Sequence, residues 1–279
     1  MRNPEHGRWS VARRLAFAAD RLFWDGTLQR EDLVRRFGLS PAQATADIAQ
    51  LREQLGKGIV YDVSRRAYVP TDAFSNPPTG ASGLLAELRL IAEGIIERTT
   101  GILASPPPVE VAGALVRAVD AAVLCSVLRA IRDQRVLEAN YVSFQRPEVL
   151  RRRISPHALV FDGFRWHARA HDAGDGRFKD FLLSRLSEPF LGGAALATAE
   201  VDTDWQTWCV LRIVPHPGLT EHQGRVVTQD YQMSEGKLDL TVRAAVTFYV
   251  KRRLGLLDGH EHRPPHEQHI VLQSEITRI

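Results

Sequence analysis

The chain has 279 residues, of which 44% are hydrophobic and 25% charged. That balance excludes a mostly disordered or fibrous protein and leaves room for two or three small domains. Thirty-six Lys and Arg against 33 Asp and Glu give a formal net charge of only +3. Lysine occurs only at Lys57, Lys179, Lys237 and Lys251, so the basic set is nearly all arginine. Arginine is the planar reader of phosphate and carboxylate, although a GC-rich genome gives the same bias.

Punctuation at Ser75–Gly80, Pro106–Pro108 and Gly192–Ala195 breaks the chain, and no internal repeat is visible. Charge is unevenly spread: residues 1–70 carry net +4, 71–128 net −3, 129–185 net +5 and 186–279 net −3. The small total therefore conceals two basic blocks suited to polyanions. Cys125 and Cys209 have no CxxC partner and sit in apolar runs, which reads as buried free thiols in a reducing compartment. The N-terminal stretch is polar, with no signal-like apolar region, and no apolar run approaches the ~18 residues of a membrane span. The expectation is a cytoplasmic protein without a membrane partner.

In the first block, Val11, Leu15, Ala18, Ala19 and Leu22 recur at helical spacing and predict a helix over 8–24. Arg30–Phe37 predicts a short second helix, stopped by Gly38. Ser40 with Pro41 and Gln43 reads as an N-cap, a first-turn proline and a capping box, opening a third helix that runs to Leu55. Ile59–Val63 and Ala67–Val69 form a hairpin with Ser64-Arg65-Arg66 at its tip.

Three helices and a hairpin describe a winged helix-turn-helix, whose third helix enters the major groove. Within "FGLSPAQATADIAQL", the exposed helix start at Ser40, Gln43 and Thr45 is placed to reach DNA. Gln43 could read adenine, and Thr45 a thymine methyl or a phosphate. Arg35 and Arg36 flank the turn, and Arg65 and Arg66 tip the wing, where they suit phosphates or the minor groove. A small helical protein-interaction module is the competing reading.

Leu84, Leu85, Leu88, Ile91, Ala92, Ile95 and Ile96 form one helical stripe, and Val111, Leu115, Val116, Val119 and Ala122 a second. These helices are expected to connect domains or to pair across a dimer. A coenzyme pocket there is a weaker alternative.

The second basic block continues as helix over Val123–Asp133 and then alternates with period 2. Leu137, Ala139, Tyr141 and Ser143 face one way, and Val136, Glu138, Asn140 and Val142 the other. A loop at Gln145-Arg146-Pro147 follows, then Arg151-Arg152-Arg153, and strands over Ala158–Phe161, Arg165–His171 and Phe178–Leu186. The spacing suggests a small SH3- or Sm-like β-barrel. On the central strand Arg165, His167, Arg169 and His171 share a face, with Arg153, His157, Arg177 and Arg185 as neighbours. Such a cationic row repels itself unless solvated or neutralised, and an anionic ligand, a nucleic acid or nucleotide, is the expected neutraliser.

The segment "RRRISPHALVFDGFRWHARAHDAGDGRFKDFLLSRLSEP" resembles the WYL domain, named for a Trp-Tyr-Leu strand triplet. Trp166-His167-Ala168 stands there instead, so His167 replaces the tyrosine. The form "PHALVFDGFRWHARA" is similar to WYL repressors beside bacterial phage-defence operons of the BREX and CBASS types. The resemblance implies a ligand set at Tyr141, Ser143, Arg153, His157, Arg165, His167, Arg169 and Arg185. It also implies a homodimer on an inverted-repeat operator, with DNA affinity altered by a nucleic-acid or nucleotide effector. The expected organisation is α+β and multidomain: a winged helix-turn-helix over 1–72, a helical linker over 73–119, the WYL barrel over 120–192, and a small α/β dimerisation unit over 193–279. In that last unit a strand over Trp208–Val214 precedes helix, strand and helix.

His260, His262, His266 and His269 lie around Pro264-Pro265, which fixes no ligand geometry, so no metal and no cofactor are expected. GxSxG, Walker A, GxGxxG and HExxH are absent, which argues against an enzyme. A ligand-responsive repressor is the leading reading. An Sm-like RNA- or single-stranded-DNA-binding protein is second and a nucleic-acid-processing enzyme third.

Overall fold

A computed structural model describes residues 4–75, 81–97, 101–112, 118–144 and 148–278, with side chains from Val11 onward. The chain divides into two compact units, Met1–Ala114 and Leu115–Ile279.

In the first unit, helices α1 (Pro4–Asp25), α2 (Arg30–Phe37) and α3 (Pro41–Leu55) precede strands β1 (Ile59–Asp62) and β2 (Ala67–Pro70). Gly38 ends α2 in the left-handed region at φ 63°, where a Cβ would be strained. Ser40 then caps α3 as the sequence indicates: its side chain accepts from the Gln43 amide, and the Gln43 side chain accepts from the Ser40 amide. Leu15, Leu22, Leu28, Leu33, Ile48 and Leu51 fill the core between the helices. Leu28 exchanges two backbone hydrogen bonds of 2.9 Å with Tyr68, adding a third short strand to the wing.

Two buried ion pairs fix the helices. Arg14 grips Asp47 through Nε–Oδ2 at 2.6 Å and Nη2–Oδ1 at 2.9 Å, tying α1 to α3. Arg21 meets Asp32 at 3.0 Å and donates to the carbonyls of Gly101 and Ile102. The expected linker is thus partly built into the winged-helix unit, with Phe74 and Ile102 packed on its core. Helix α4 (Ser82–Ala92) carries Leu84, Leu85, Leu88, Ile91 and Ala92 of the first apolar stripe and buries none of them, but it ends before Ile95 and Ile96. The second stripe does not form the expected helix: 106–112 and 118–120 are non-helical, and Leu115 and Val116 lie outside the described residues.

In the second unit, α5 (Ala121–Arg132) begins where the Asp120 carboxylate accepts from the amides of Ala122 and Val123. Strands β3 (Arg135–Val142), β4 (Val149–Phe161), β5 (Trp166–Asp172), β6 (Arg177–Leu182) and β7 (Leu186–Ala194) form one antiparallel sheet in the order β6-β5-β4-β3-β7. Val123, Val127 and Ala130 of α5 pack on Leu137, Ala139, Ile154, Ala168 and Ala170.

Four expectations shift here. The arginine run and the following strand are one 13-residue strand, β4, with a register irregularity between Pro156 and Ala158. The last strand is split by a 3₁₀ turn at Leu183–Arg185, and the Gly192-Gly193 break lies inside β7. A Cβ on Gly192 would meet Val136 at 3.3 Å, which is why glycine sits in that strand. No pairing among the described residues joins β6 to β7, so the expected closed barrel is not completed by hydrogen bonding. The expected loop at 145–147 lies outside the described residues.

After a short 3₁₀ turn (Ala199–Val201) and the single-turn α6 (Thr203–Gln206), β8 (Trp208–Pro215), α7 (Glu221–Asp230), β9 (Leu238–Arg243), α8 (Ala244–Arg253) and β10 (Ile270–Arg278) complete the chain. Their sheet runs β10-β8-β9, with Ile213, Val227, Met233, Leu256 and Ile270 as its core. Cys209 is buried, but Cys125 is exposed on α5, against expectation. Among the described residues no helix is long and apolar enough to cross a membrane.

Candidate nucleic-acid interface and ligand face

The recognition helix presents Ala42, Gln43, Thr45, Ala46, Ala49 and Gln50 outward and buries Ala44, Asp47, Ile48 and Leu51. Small exposed residues let a helix backbone approach base edges closely. Sequence spacing singled out Gln43 and Thr45 but not the exposed Ala42, Ala46 and Ala49 beside them. Thr45 Oγ1 donates to the Pro41 carbonyl at 2.9 Å, and the residue is exposed. Thr45, Arg66, Arg30 and Tyr61 line one groove of about 360 Å³ between helix and wing. Arg30 was not singled out from sequence.

Arg65 and Arg66 are exposed, and the turn beneath them is held by Asp62, which accepts from the amides of Ser64 and Arg65 and from Ser64 Oγ. The Ser64 hydroxyl and those amides keep the Asp62 carboxyl below its usual range. Arg35 is exposed, 3.8 Å from Asp32. Arg36 turns inward, 3.7 Å from Glu87 and over the Phe17 ring at 5.5 Å. Gln43 is occupied too: its Oε1 accepts from the Ser40 amide at 3.2 Å, so bidentate adenine reading requires opening the cap.

The expected cationic row of the second unit is internally neutralised. Arg169 holds Asp202 in a fork, Nε–Oδ2 at 2.8 Å and Nη2–Oδ1 at 3.0 Å, with Asp180 at 3.5 Å. His157 Nε2 lies 3.0 Å from the same Asp202 Oδ2. Arg165 Nε and His167 Nε2 both meet Asp162 Oδ2 at 3.1 Å. Arg153 pairs with Glu138 at 3.3 Å, and Arg185 lies over the Phe144 ring at 4.0 Å. Arg169 and His167 are 5% and 4% exposed, so the row is a buried face and not a solvated one.

The covering comes from later in the chain: the 199–206 segment supplies Asp202, and α8 supplies Tyr249. The Tyr249 hydroxyl donates to Asp180 at 2.8 Å; burial, with Asp180 beside it, pushes that hydroxyl's pKa up and keeps it a donor. Burial also pushes the Asp202 carboxyl up, but Arg169 and His157 outweigh it and hold the group below its usual range. His157 and His167 each turn Nε2 to a carboxylate and bury Nδ1 without a hydrogen-bond partner among the described residues. That arrangement suits the Nε2–H tautomer.

Tyr141 and Ser143 border this row without joining it: Asp180, which meets Arg169 at 3.5 Å, also lines their cavity. They line a cavity of about 400 Å³ with Arg152, Asp172, Gly174 and Lys179. Arg152 and Lys179 each approach Asp172 at 3.2 Å, and Asp172 is 1% exposed. Thus the eight residues expected to share one ligand face are divided among a buried row, this cavity, the exposed Arg153 and the half-buried Arg185. In the histidine-rich loop, His260 is structural: Nδ1 faces the Leu257 carbonyl at 3.0 Å and Nε2 accepts from the Leu272 amide at 2.9 Å.

A winged helix-turn-helix followed by a helix-backed five-stranded sheet and a three-stranded α/β unit defines a DNA-binding regulator of the WYL class. Three family models match in that order: the BrxR transcriptional regulator winged helix-turn-helix domain over 10–88, the WYL domain over 122–191, and the BrxR C-terminal dimerization domain over 208–277. The chain is 37% identical over 270 residues to the DNA-binding transcriptional repressor CapW of Stenotrophomonas maltophilia, covering 96% of this chain and 90% of that protein. It is 32% identical over 271 residues to CapW of Escherichia coli strain KTE188, with the same two coverages. CapW of Pseudomonas aeruginosa is 32% identical over 269 residues, again covering 96% and 90%. The chain belongs to this family of BrxR-type, CapW-like DNA-binding transcriptional repressors, proteins named as repressors and not as enzymes.

Proposed function

We propose that this repressor binds an inverted-repeat operator as a homodimer, controls a phage-defence operon, and changes its DNA affinity when its WYL unit takes up a nucleic-acid or nucleotide effector. The observation that carries the DNA reading is the groove in which Thr45 of the recognition helix and Arg66 of the wing lie together. Small residues at Ala42, Ala46 and Ala49 suit close approach to base edges, with Arg30, Arg35, Arg65 and Arg66 on phosphates and Thr45 at a base methyl. Ser40 holds the helix start and, with Gln43, reaches the DNA once the cap opens. Arg36 supports α2 from within in this reading. One winged helix spans few base pairs, so operator specificity calls for two half-sites, consistent with the matched dimerization domain.

For the effector, the reading places phosphates on the basic face of the sheet and a base near Tyr141, Ser143 and Arg185. We read the strand order β7-β3-β4-β5-β6, with a 3₁₀ turn between the edge strands, as a small SH3- or Sm-like barrel left open at one seam. A mobility shift on the DNA upstream of the protein's own gene tests the repressor reading. Selective retention is expected at a salt concentration that releases scrambled DNA. Equal affinity for both DNAs would favour the Sm-like single-strand binder instead.

A further inference from the structure

Arg169 and His157 carry the chemistry of an anion site, and an anion already occupies them. Asp202 uses both oxygens there. Oδ2 accepts from Arg169 Nε at 2.8 Å and lies 3.0 Å from His157 Nε2, while Oδ1 accepts from Arg169 Nη2 at 3.0 Å and from the Trp205 amide at 3.2 Å. The carboxylate is 1% exposed. A guanidinium fork with an added ring N–H is equally the geometry that holds a phosphate oxyanion. We propose that Arg169 and His157 form a phosphate-oxyanion site held shut by Asp202, and that a phosphate of the effector enters by displacing it. The proposal rests on the effector reading above.

Three features set Asp202 apart from an ordinary structural tie. It arrives from a short segment outside the sheet, 33 residues from Arg169 and 45 from His157. That segment has few inward anchors: Glu200, Val201, Thr203, Asp204 and Gln206 are exposed, Asp202 is buried, and Ala199 and Trp205 are half-buried, with Trp205 edge-on to His157 at 5.3 Å. Arg169 also does not lose every partner when Asp202 leaves. Asp180 stays within 3.5 Å, held by the Tyr249 hydroxyl, and Asp204 reaches Arg169 at 3.6 Å from the solvent side. Exchange of one anion for another therefore avoids stranding a buried cation, the usual cost of opening such a pair.

The same segment is clamped to the dimerization unit. The Arg243 guanidinium lies between the rings of Trp205 at 4.6 Å and Trp208 at 4.5 Å, and it donates to the Trp205 carbonyl. Trp208 opens β8 and Arg243 closes β9. Displacing Asp202 moves a turn fastened to both of those strands, which gives effector binding a physical route into the C-terminal unit.

The test uses the full-length protein and a fluorescein-labelled, 5′-phosphorylated oligothymidylate, read by anisotropy. Asp202→Asn keeps the N-cap and the shape and removes the charge. It is expected to tighten oligonucleotide binding about tenfold, whereas Asp230→Asn, at an exposed carboxylate on α7, changes it less than about twofold. Hydrogen exchange over 199–206 is expected to speed up when the wild-type protein is saturated with oligonucleotide, a readout that needs no variant. A folded Asp202→Asn dimer that binds no tighter than wild type overturns the proposal, as does unchanged exchange in the saturated wild-type protein. Both results leave the effector reading standing. Binding by neither wild type nor Asp202→Asn removes the effector reading itself.

Discussion

Arg66→Ala is the sharpest probe of the wing. Arg66 is exposed at the hairpin tip, shares the groove with Thr45, and makes no ion pair among the described residues. The substitution removes one cation per protomer and two per dimer. Each phosphate contact contributes about 0.9 to the slope of log K against log salt, so the slope should flatten by about 1.8. Between about 50 and 200 mM salt, that is roughly a twelvefold smaller loss of affinity than wild type shows. Arg36→Ala is the matched control. Its guanidinium faces Glu87 and the Phe17 ring, so it should cost about 1 kcal/mol of stability and leave the slope unchanged. Anisotropy titrations on operator DNA at four or five salt concentrations measure both slopes. An unchanged slope in Arg66→Ala, or a flattened one in Arg36→Ala, would refute the assignment of which arginines meet phosphate.

Gln43→Ala breaks the capping box and should destabilise the protein by about 1 kcal/mol in urea unfolding. If Gln43 also reads a base, sequence preference in a binding-site selection relaxes at one position per half-site, and unaltered preference would assign it to capping alone. Arg169→Ala leaves the buried Asp202 and the half-buried Asp180 without their shared cation and should cost about 3 kcal/mol. Combining it with Asp202→Asn should recover part of that loss, and strict additivity would show that the pair is not coupled. Burial pushes the Asp162 carboxyl up, but the amides of Phe164 and Arg165, His167 and the Arg165 guanidinium outweigh it and hold the group at about 2. Its folded pKa lies below the unfolded value, so the stability it contributes is full above about pH 4 and is lost as pH falls towards about 2. The stability advantage of wild type over Asp162→Asn should shrink across that window in acid unfolding. An advantage undiminished near pH 2 would contradict the depressed value.

Local chemistry made the first unit legible. Gly38, Ser40-Pro41 and Gln43 encode the ends of α2 and α3 through backbone conformation and capping, which need no distant partner. The face shared by Arg165, His167 and Arg169 was equally legible from two-residue alternation. What neutralises that face was not, because Asp202 reaches it across 33 residues of sequence and no local pattern records such a pairing. The same limit hid the inward turn of Arg36 towards Glu87 and the cavity that Tyr141 and Ser143 line beside the buried row. Gly192-Gly193 read as a break because glycine usually ends strands. In β7 it instead admits Val136, and the Gly192 carbonyl accepts from Arg135 Nε at 2.8 Å. The second middle stripe had helical spacing, yet 118–120 are non-helical and α5 begins at Ala121, behind the Asp120 cap.

The central claim is an operator read by two winged helices. A hydroxyl-radical footprint of the full-length protein on the DNA upstream of its own gene tests it most directly. The account predicts two protected half-sites, related as an inverted repeat and centred one or a few helical turns apart, about 10 base pairs per turn. Protection that is uniform along the fragment, or confined to a single half-site at saturation, would contradict it.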